Sequence, residues 1–234
     1  MAERFYTPGS IPLGDFVLAG ADAHHLATVR RFEPGDRVVL FNGDGHEYTA
    51  EVVAVEKKRV LLTVLDRMMV NRESPMPVVV GSALPKGDRA DYLIEKLVEV
   101  GATRLVPLIT SRSVVKPTES KADKLARAVI EASKQCGRNV LMAVDPPTLI
   151  SDFLALADLP ARKFILHTSG EIRQELGQAP ASGVAFAIGP EGGFTSDEVA
   201  AAIVKGWQPL SLGPRVLRVE TATVVAAAWA STHI

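Results

Sequence analysis

Apolar and polar positions alternate with a period of two through much of the first third of the chain, the pattern of strands with one covered face. Arg37 to Phe41 alternates or runs apolar, Asn42-Gly43-Asp44-Gly45 supplies a hairpin turn, and Tyr48 to Val55 returns as the partner strand. Lys57-Lys58 then turns the chain into a further strand at Val60 to Leu65. The one helical pattern here runs from Asp22 to Arg31, with Asp22 as N-cap and Leu26 and Val29 on one face. Several short strands with a single helix predict a small β-barrel.

Beyond Asn71 to Pro77, a linker carrying two prolines, the periodicity changes. Short apolar runs, expected as buried strands, cover Val78 to Leu84, Leu105 to Ile109, Phe164 to His167, Val184 to Ile188 and Pro209 to Leu212. Helical spacing separates them at Asp88 to Val100, Ser120 to Cys136, Ser196 to Lys205 and Thr221 to Ser231. Alternation of this kind predicts an α/β domain with a mostly parallel sheet covered on both faces. The expected boundary divides the chain into residues 1–72 and 73–234.

Two strand-to-helix turns carry the most information. Gly189-Pro190-Glu191-Gly192-Gly193-Phe194-Thr195 follows one apolar run, and Ser211 to Ala222, SLGPRVLRVETA, follows another. Adjacent glycine-bearing turns at the carboxyl edge of a parallel sheet build a ligand crevice, where main-chain groups approach what a Cβ would exclude. The bland alternative is that these are turn glycines only. Glu191 suits either ribose hydroxyls or a helix cap, and Arg218-Val219-Glu220-Thr221 reads as too polar for a core. Ser196-Asp197-Glu198 opens a helix and is structural in character.

These two segments resemble the C-terminal signatures of the SPOUT-class ribosomal RNA uridine-N3 methyltransferases, the RsmE family. Three further stretches fit that family: His24-His25-Leu26 with Val29-Arg30, Leu84-Pro85-Lys86-Gly87-Asp88, and Glu131 with Gln135-Cys136-Gly137-Arg138. One departure is visible, because Val219 stands where the family's usual pattern has a threonine. The resemblance implies a PUA-like β-barrel followed by a SPOUT α/β domain with a deep trefoil knot, and a homodimer built on that knot. It implies S-adenosylmethionine as cofactor, held by Leu166, His167, Gly189, Glu191, Gly192, Gly193, Ser211, Leu212, Gly213, Leu217 and Thr221. It also implies 16S ribosomal RNA, or the assembled small subunit, as partner, met by Arg4, His25, Arg30, Lys86, Arg112, Lys121, Lys124, Arg127 and Arg138.

The chemistry so implied needs few groups. A nitrogen lone pair can attack a sulfonium methyl directly, provided the N3 proton of uridine leaves, and a cation near O2 or O4 would stabilise the anion. Arg218 is the favoured stabiliser, with Arg215 as the other candidate. Glu220 could accept the proton or merely orient the arginine. Cys136 is read as a small buried hydrophobe, since N3 alkylation needs no covalent step. His24 and His25 have no partner ligands at zinc spacing, so no metal is expected.

Composition narrows the alternatives. With 234 residues, 47% apolar and 23% charged, the chain can bury a core without staples. Its single cysteine suits a reducing cytoplasm, and no apolar run approaches the ~18 residues of a membrane span. Net charge is −1, yet Arg112 to Arg138 carries seven basic residues against three acidic ones, a footprint for RNA or else a solvated helix face. No Gly-x-Gly-x-x-Gly, Walker A or Gly-x-Ser-x-Gly pattern is present, which disfavours dehydrogenase, nucleotide hydrolase and α/β-hydrolase chemistry. A methyltransferase acting on a ribose 2′-oxygen and a non-catalytic RNA-binding assembly factor remain as alternatives.

Overall fold

The computed structural model describes residues 3–20, 32–56, 59–113, 122–172 and 183–232. They fall into two compact units, Met1–Glu73 with Ser133–Leu141, and Ser74–Ala132 with Met142–Ile234. The helix expected at Asp22 to Arg31, with His24, His25 and Arg30, lies outside the described residues, as do Lys57-Lys58 and Lys121.

In the first unit β1 (Arg4–Tyr6), β2 (Gly14–Ala19), β3 (Arg37–Phe41), β4 (His46–Val55) and β5 (Arg59–Met69) form one sheet in the order β1-β3-β4-β5-β2. The first pair is parallel and the others antiparallel. Period-two burial is direct: Tyr48, Ala50 and Val52 of β4 and Val60, Leu62 and Val64 of β5 enter one core with Phe5, Leu18, Val38 and Leu40. The β3–β4 turn is held by Asp44, whose N–H donates to Asn42 Oδ1 at 3.1 Å and whose Oδ2 accepts from Tyr48 OH at 2.6 Å. Among the described residues the pairing path begins at β1 and ends at β2.

Ser133–Leu141 packs with this first unit, an excursion that the strand–helix alternation does not reveal. Its anchor is ionic. Arg4 Nη1 pairs with Glu47 Oε1 at 2.5 Å, and Arg4 Nη2 donates to Asn139 Oδ1 at 2.5 Å. Arg72 Nη1 donates to the same Glu47 oxygen at 2.6 Å and to Gly137 O at 2.9 Å, while Arg138 pairs with Glu73. Burial pushes the Glu47 carboxyl up, but hydrogen bonds from Arg72 and Arg4 outweigh it and hold the group below the usual carboxylate range. Arg4 and Arg138 are 9% and 4% exposed, and this corrects the expectation that both face RNA. A buried guanidinium already engaged by a neighbouring carboxylate is poorly placed to meet a phosphate.

The second unit holds β6 (Val78–Ser82), α1 (Asp88–Glu99) and β7 (Arg104–Ile109). After β7 runs α2 (Ala122–Cys136). The unit continues with β8 (Ala143–Val144), β9 (Thr148–Leu149), α3 (Ile150–Phe153), β10 (Arg162–Ile172), β11 (Val184–Ile188), α4 (Ser196–Val204), β12 (Gln208–Ser211) and α5 (Val219–Thr232). The strand order is β12-β10-β11-β6-β7-β8, every pair parallel, with β9 also pairing β7. All five residues of β6 and of β11 are buried, as strands covered on both faces require. On one face Val79, Ile165 and Ala185 join Phe153 and Trp207. On the other, the Phe164 and Phe186 rings stack at 5.9 Å and Trp229 of α5 meets both edge-on. No described helix is long and apolar enough to cross a membrane.

Candidate active site

The sheet order sets the site. β11 lies between β6 and β10 although it follows both in sequence, so the carboxyl ends of β12, β10 and β11 stand side by side. The turns that leave them bound a cavity of about 310 Å3, at the lower end of the about 300–1,000 Å3 typical of small-molecule sites. One wall is Leu166, His167 and Thr168 of β10. There the ladder to β12 breaks, because Leu166 and Glu171 both face Leu210, so 167–170 leave the pairing.

The second wall is the Gly189 to Phe194 turn, which includes Glu191, Gly192 and Gly193. Gly193 N–H donates to Pro190 O at 2.7 Å, and Gly193 sits at φ 68°, where a side chain is disfavoured. The third wall is Ser211, Leu212, Gly213, Arg215, Val216 and Leu217, followed by Val219 and Ala222 at the start of α5. Ser211 Oγ donates to Gly213 O at 3.2 Å and so folds the loop back on itself. Apolar side chains at Leu166, Ile188, Leu210 and Leu217 among glycine-bearing turns suit a flat, partly apolar ligand with hydrogen-bonding edges.

Of the cofactor candidates named from sequence, all but Thr221 line this cavity; Thr221 is exposed on α5. Arg218 is exposed and not part of the wall, whereas Arg215 is. The polar reading of Arg218 to Thr221 needs correction. Helix α5 begins at Val219, two residues earlier than the spacing predicts, and Val219 and Glu220 are 4% and 6% exposed. An apolar residue at position 219 is therefore a buried first-turn residue, and its carbonyl accepts from Thr223 Oγ1 at 2.7 Å.

Arg112, expected at an RNA surface, belongs to the cavity instead: its Nη1 donates to Gly192 O at 2.6 Å. Its neighbour Ser111 donates from N–H to Glu198 Oε1 at 2.8 Å, while Glu198 Oε2 accepts from Thr195 N–H in a capping box that starts α4. Thr195, one residue before Ser196, is thus the N-cap. Burial raises the Glu198 pKa, but the Ser111 and Thr195 N–H groups lower it further, so the carboxyl stays below its usual value.

Arg89, in the first turn of α1, was not legible as a site residue. It continues Lys86-Gly87-Asp88 and looks like ordinary helix surface. In the structure its Nη1 lies 3.7 Å from Glu220 Oε1 and its Nη2 lies 3.5 Å from Glu191 Oε1. Glu220 Oε2 is buried with no hydrogen-bond partner among the described residues. Lys86 and Arg89 line a second cavity of about 270 Å3 with Ala83, Leu84 and Ser113, and Pro190 and Glu191 line both cavities. Lys124 and Arg127 are exposed on α2, and Lys124 pairs with Asp91 at 2.8 Å, which raises its pKa. Cys136 is a free, half-buried thiol of the Ser133–Leu141 segment. No cluster of metal-ligating side chains occurs among the described residues.

Comparison with known proteins agrees with this architecture. Residues 72–231 match the RNA methyltransferase domain family and residues 18–65 the RNA methyltransferase PUA domain family. A ribosomal RNA small subunit methyltransferase E of Synechocystis is 35% identical, over 97% of this chain and 77% of its own. The Bacillus subtilis protein of the same name is 31% identical over 90% of this chain and 87% of its own. Among solved structures, the small subunit methyltransferase E of Neisseria gonorrhoeae bound to S-adenosylmethionine superposes with a TM-score of 0.90 at 30% identity, covering 99% of this chain and 98% of that one. A Legionella pneumophila protein solved with the same cofactor gives 0.92 at 36% identity, over 99% of this chain and 98% of that one. The chain belongs to the RNA methyltransferase family and, within it, to the ribosomal RNA small subunit methyltransferase E group.

Proposed function

We propose that this protein transfers a methyl group from S-adenosylmethionine to N3 of a uridine in 16S ribosomal RNA. The observation that carries the reading is the cavity formed by three neighbouring turns at the carboxyl edge of the parallel sheet. Its fit to the cofactor rests on the open backbone of Gly193, on apolar walls for a purine, and on related proteins solved with that molecule bound.

When bound, the cofactor supplies an electrophilic methyl carbon; the chain's task is to orient it and to expose the acceptor. The turn at Gly189 to Gly193 and the loop at Ser211 to Leu217 would hold the adenosine part with main-chain donors and acceptors, with Leu166 and His167 on the third side. Thr221 would act only by completing the first turn of α5. The Watson–Crick edge of the uridine must be unpaired before N3 is reachable, so the base enters extruded. As the N–CH3 bond forms and the S–CH3 bond breaks, leaving S-adenosylhomocysteine, the N3 proton passes to water; Arg218 would stabilise the negative charge that grows on the uracil, and Glu220 would orient the neighbouring cations.

In this reading residues 1–72 form a PUA-like RNA-holding domain and residues 73–234 the catalytic domain. His25, Arg30, Lys86, Lys121, Lys124 and Arg127 help to hold the RNA. Family membership supports a deep trefoil knot in the C-terminal segment, a homodimer built on it, and work in the cytoplasm on 16S RNA or the assembled small subunit. Deletion of the gene should remove 3-methyluridine, and no 2′-O-methylated nucleoside, from the ribosomal RNA; an unchanged nucleoside profile would overturn the reading.

A further inference from the structure

The second cavity shares its Pro190–Glu191 wall with the first, so ligands in the two lie side by side. Methyl transfer needs that relation, because donor and acceptor atoms must be held close to van der Waals contact. Its size, about 270 Å3, suits one nucleotide and excludes a stacked strand. The charge on its walls is also specific. Lys86 is exposed, and the Arg89 side chain makes no hydrogen bond to a described residue, although it is ion-paired with two carboxylates at 3.5 and 3.7 Å. Both separations exceed a normal N–H···O bond, so the donors of the guanidinium are oriented but unspent.

Glu220 lies behind Arg89 with its side chain 9% exposed, and Glu191 lies half exposed at the shared wall. Two carboxylates on different elements, the turn after β11 and the first turn of α5, therefore fix the plane of one arginine fork. A planar fork held open beside a lysine matches a phosphate group, which takes two parallel N–H bonds from an arginine and a point charge from a lysine.

We propose that this second cavity receives the extruded pyrimidine nucleotide of the RNA, with Lys86 and Arg89 gripping its phosphate and Glu220 acting as the positioning residue for Arg89. This rests on the methyltransferase reading above. It adds where the acceptor sits and gives Arg89 a role in binding, separate from the charge stabilisation assigned to Arg218.

The test is titration of the full-length protein, saturated with S-adenosylmethionine, with uridine 5′-monophosphate and with uridine, following the Arg89 side-chain N–H signal by NMR. The nucleotide should shift that signal and bind at least tenfold more tightly than the nucleoside. Arg89→Ala and Lys86→Ala should each remove most of that preference, Arg89→Lys should restore part of it, and cofactor affinity should stay at the wild-type value. Glu220→Gln should weaken nucleotide binding in the wild-type background and have little further effect in the Arg89→Ala background. Arg89→Ala removes the cation beside the buried Glu220 and is expected to lower Tm, so Arg89→Lys, which keeps that charge, separates lost stability from lost phosphate recognition. No shift in the wild type, equal affinity for nucleotide and nucleoside, or loss of cofactor affinity in Arg89→Ala would overturn the assignment. If the wild type methylates uridine while Arg89→Ala binds nucleotide normally, this inference alone fails; if the wild type methylates nothing, the underlying reading fails.

Discussion

Arg112 donates from Nη1 to the carbonyl oxygen of Gly192 at 2.6 Å, so a side chain following β7 closes the turn that follows β11. A third element braces the pair, since Glu198 of α4 accepts from the N–H of Ser111. The glycine turn that lines the cavity is thus braced by a charged side chain at the cavity wall and, through it, by α4.

Arg112→Ala should therefore weaken S-adenosylmethionine binding more than RNA binding. A hydrogen bond from a charged donor contributes about 1.5–3 kcal/mol, which corresponds to roughly a tenfold or greater rise in the cofactor's Kd. Calorimetric titration checks it; wild-type cofactor affinity with impaired RNA binding would return Arg112 to the RNA surface.

At Gly193 the ideal Cβ position has no heavy atom within 4 Å, yet φ is 68°. The Cβ of Gly193→Val thus meets no described atom, and the substitution acts through the backbone, where a β-branched residue in this region costs about 1–3 kcal/mol. The variant should stay folded, with Tm lower by a few degrees, and lose cofactor binding by more than tenfold. Near-native affinity would mean that the turn serves structure only.

Much of this was legible in the sequence. The alternation of Tyr48, Ala50 and Val52 and the unbroken apolar runs at Val184 to Ile188 give away which strands have one covered face and which have two. The glycine turns mark the cavity because only their local chemistry matters. What stayed hidden depends on meetings between distant segments. Arg4 and Arg138 look like surface cations until Glu47 and Glu73 are seen beside them, 43 and 65 residues away in sequence. Arg89 looks like helix surface until the turn after β11 and the start of α5 bring Glu191 and Glu220 to it. Periodicity also puts the start of α5 two residues late, because Val219 and Glu220 are buried by tertiary packing that local polarity does not encode.

Glu47 holds Arg4 and Arg72 at once, and removing it leaves a buried guanidinium short of a countercharge. Glu47→Ala should destabilise the protein by about 3 kcal/mol at neutral pH. The sign with pH follows from the direction of the shift. A carboxyl whose folded pKa lies below its ordinary value of 4.5 contributes fully above that value and loses its contribution as pH falls through the folded pKa. Tm measured across pH should show wild type and variant far apart at neutrality and converging in acid below about pH 4.5. A gap that is constant with pH would assign the effect to poorer packing.

Lys124 and Arg127 stand exposed on α2, and the Lys124–Asp91 pair is a surface interaction of small net worth. Reversing both charges should weaken RNA binding and lower the slope of log affinity against log salt by about 1 for each phosphate no longer neutralised. Tm should hardly change. An unaltered slope would make this an ordinary solvated face.

The most direct measurement is the position of the transferred methyl. Purified protein is incubated with S-adenosylmethionine carrying a deuterated methyl group and with small ribosomal subunits from a strain lacking the gene, and the RNA is digested to nucleosides for mass spectrometry. The label should appear in 3-methyluridine, and the Gly193→Val protein should leave it in the cofactor. Label in a 2′-O-methylated nucleoside, or none in RNA at all, would contradict uridine-N3 methylation.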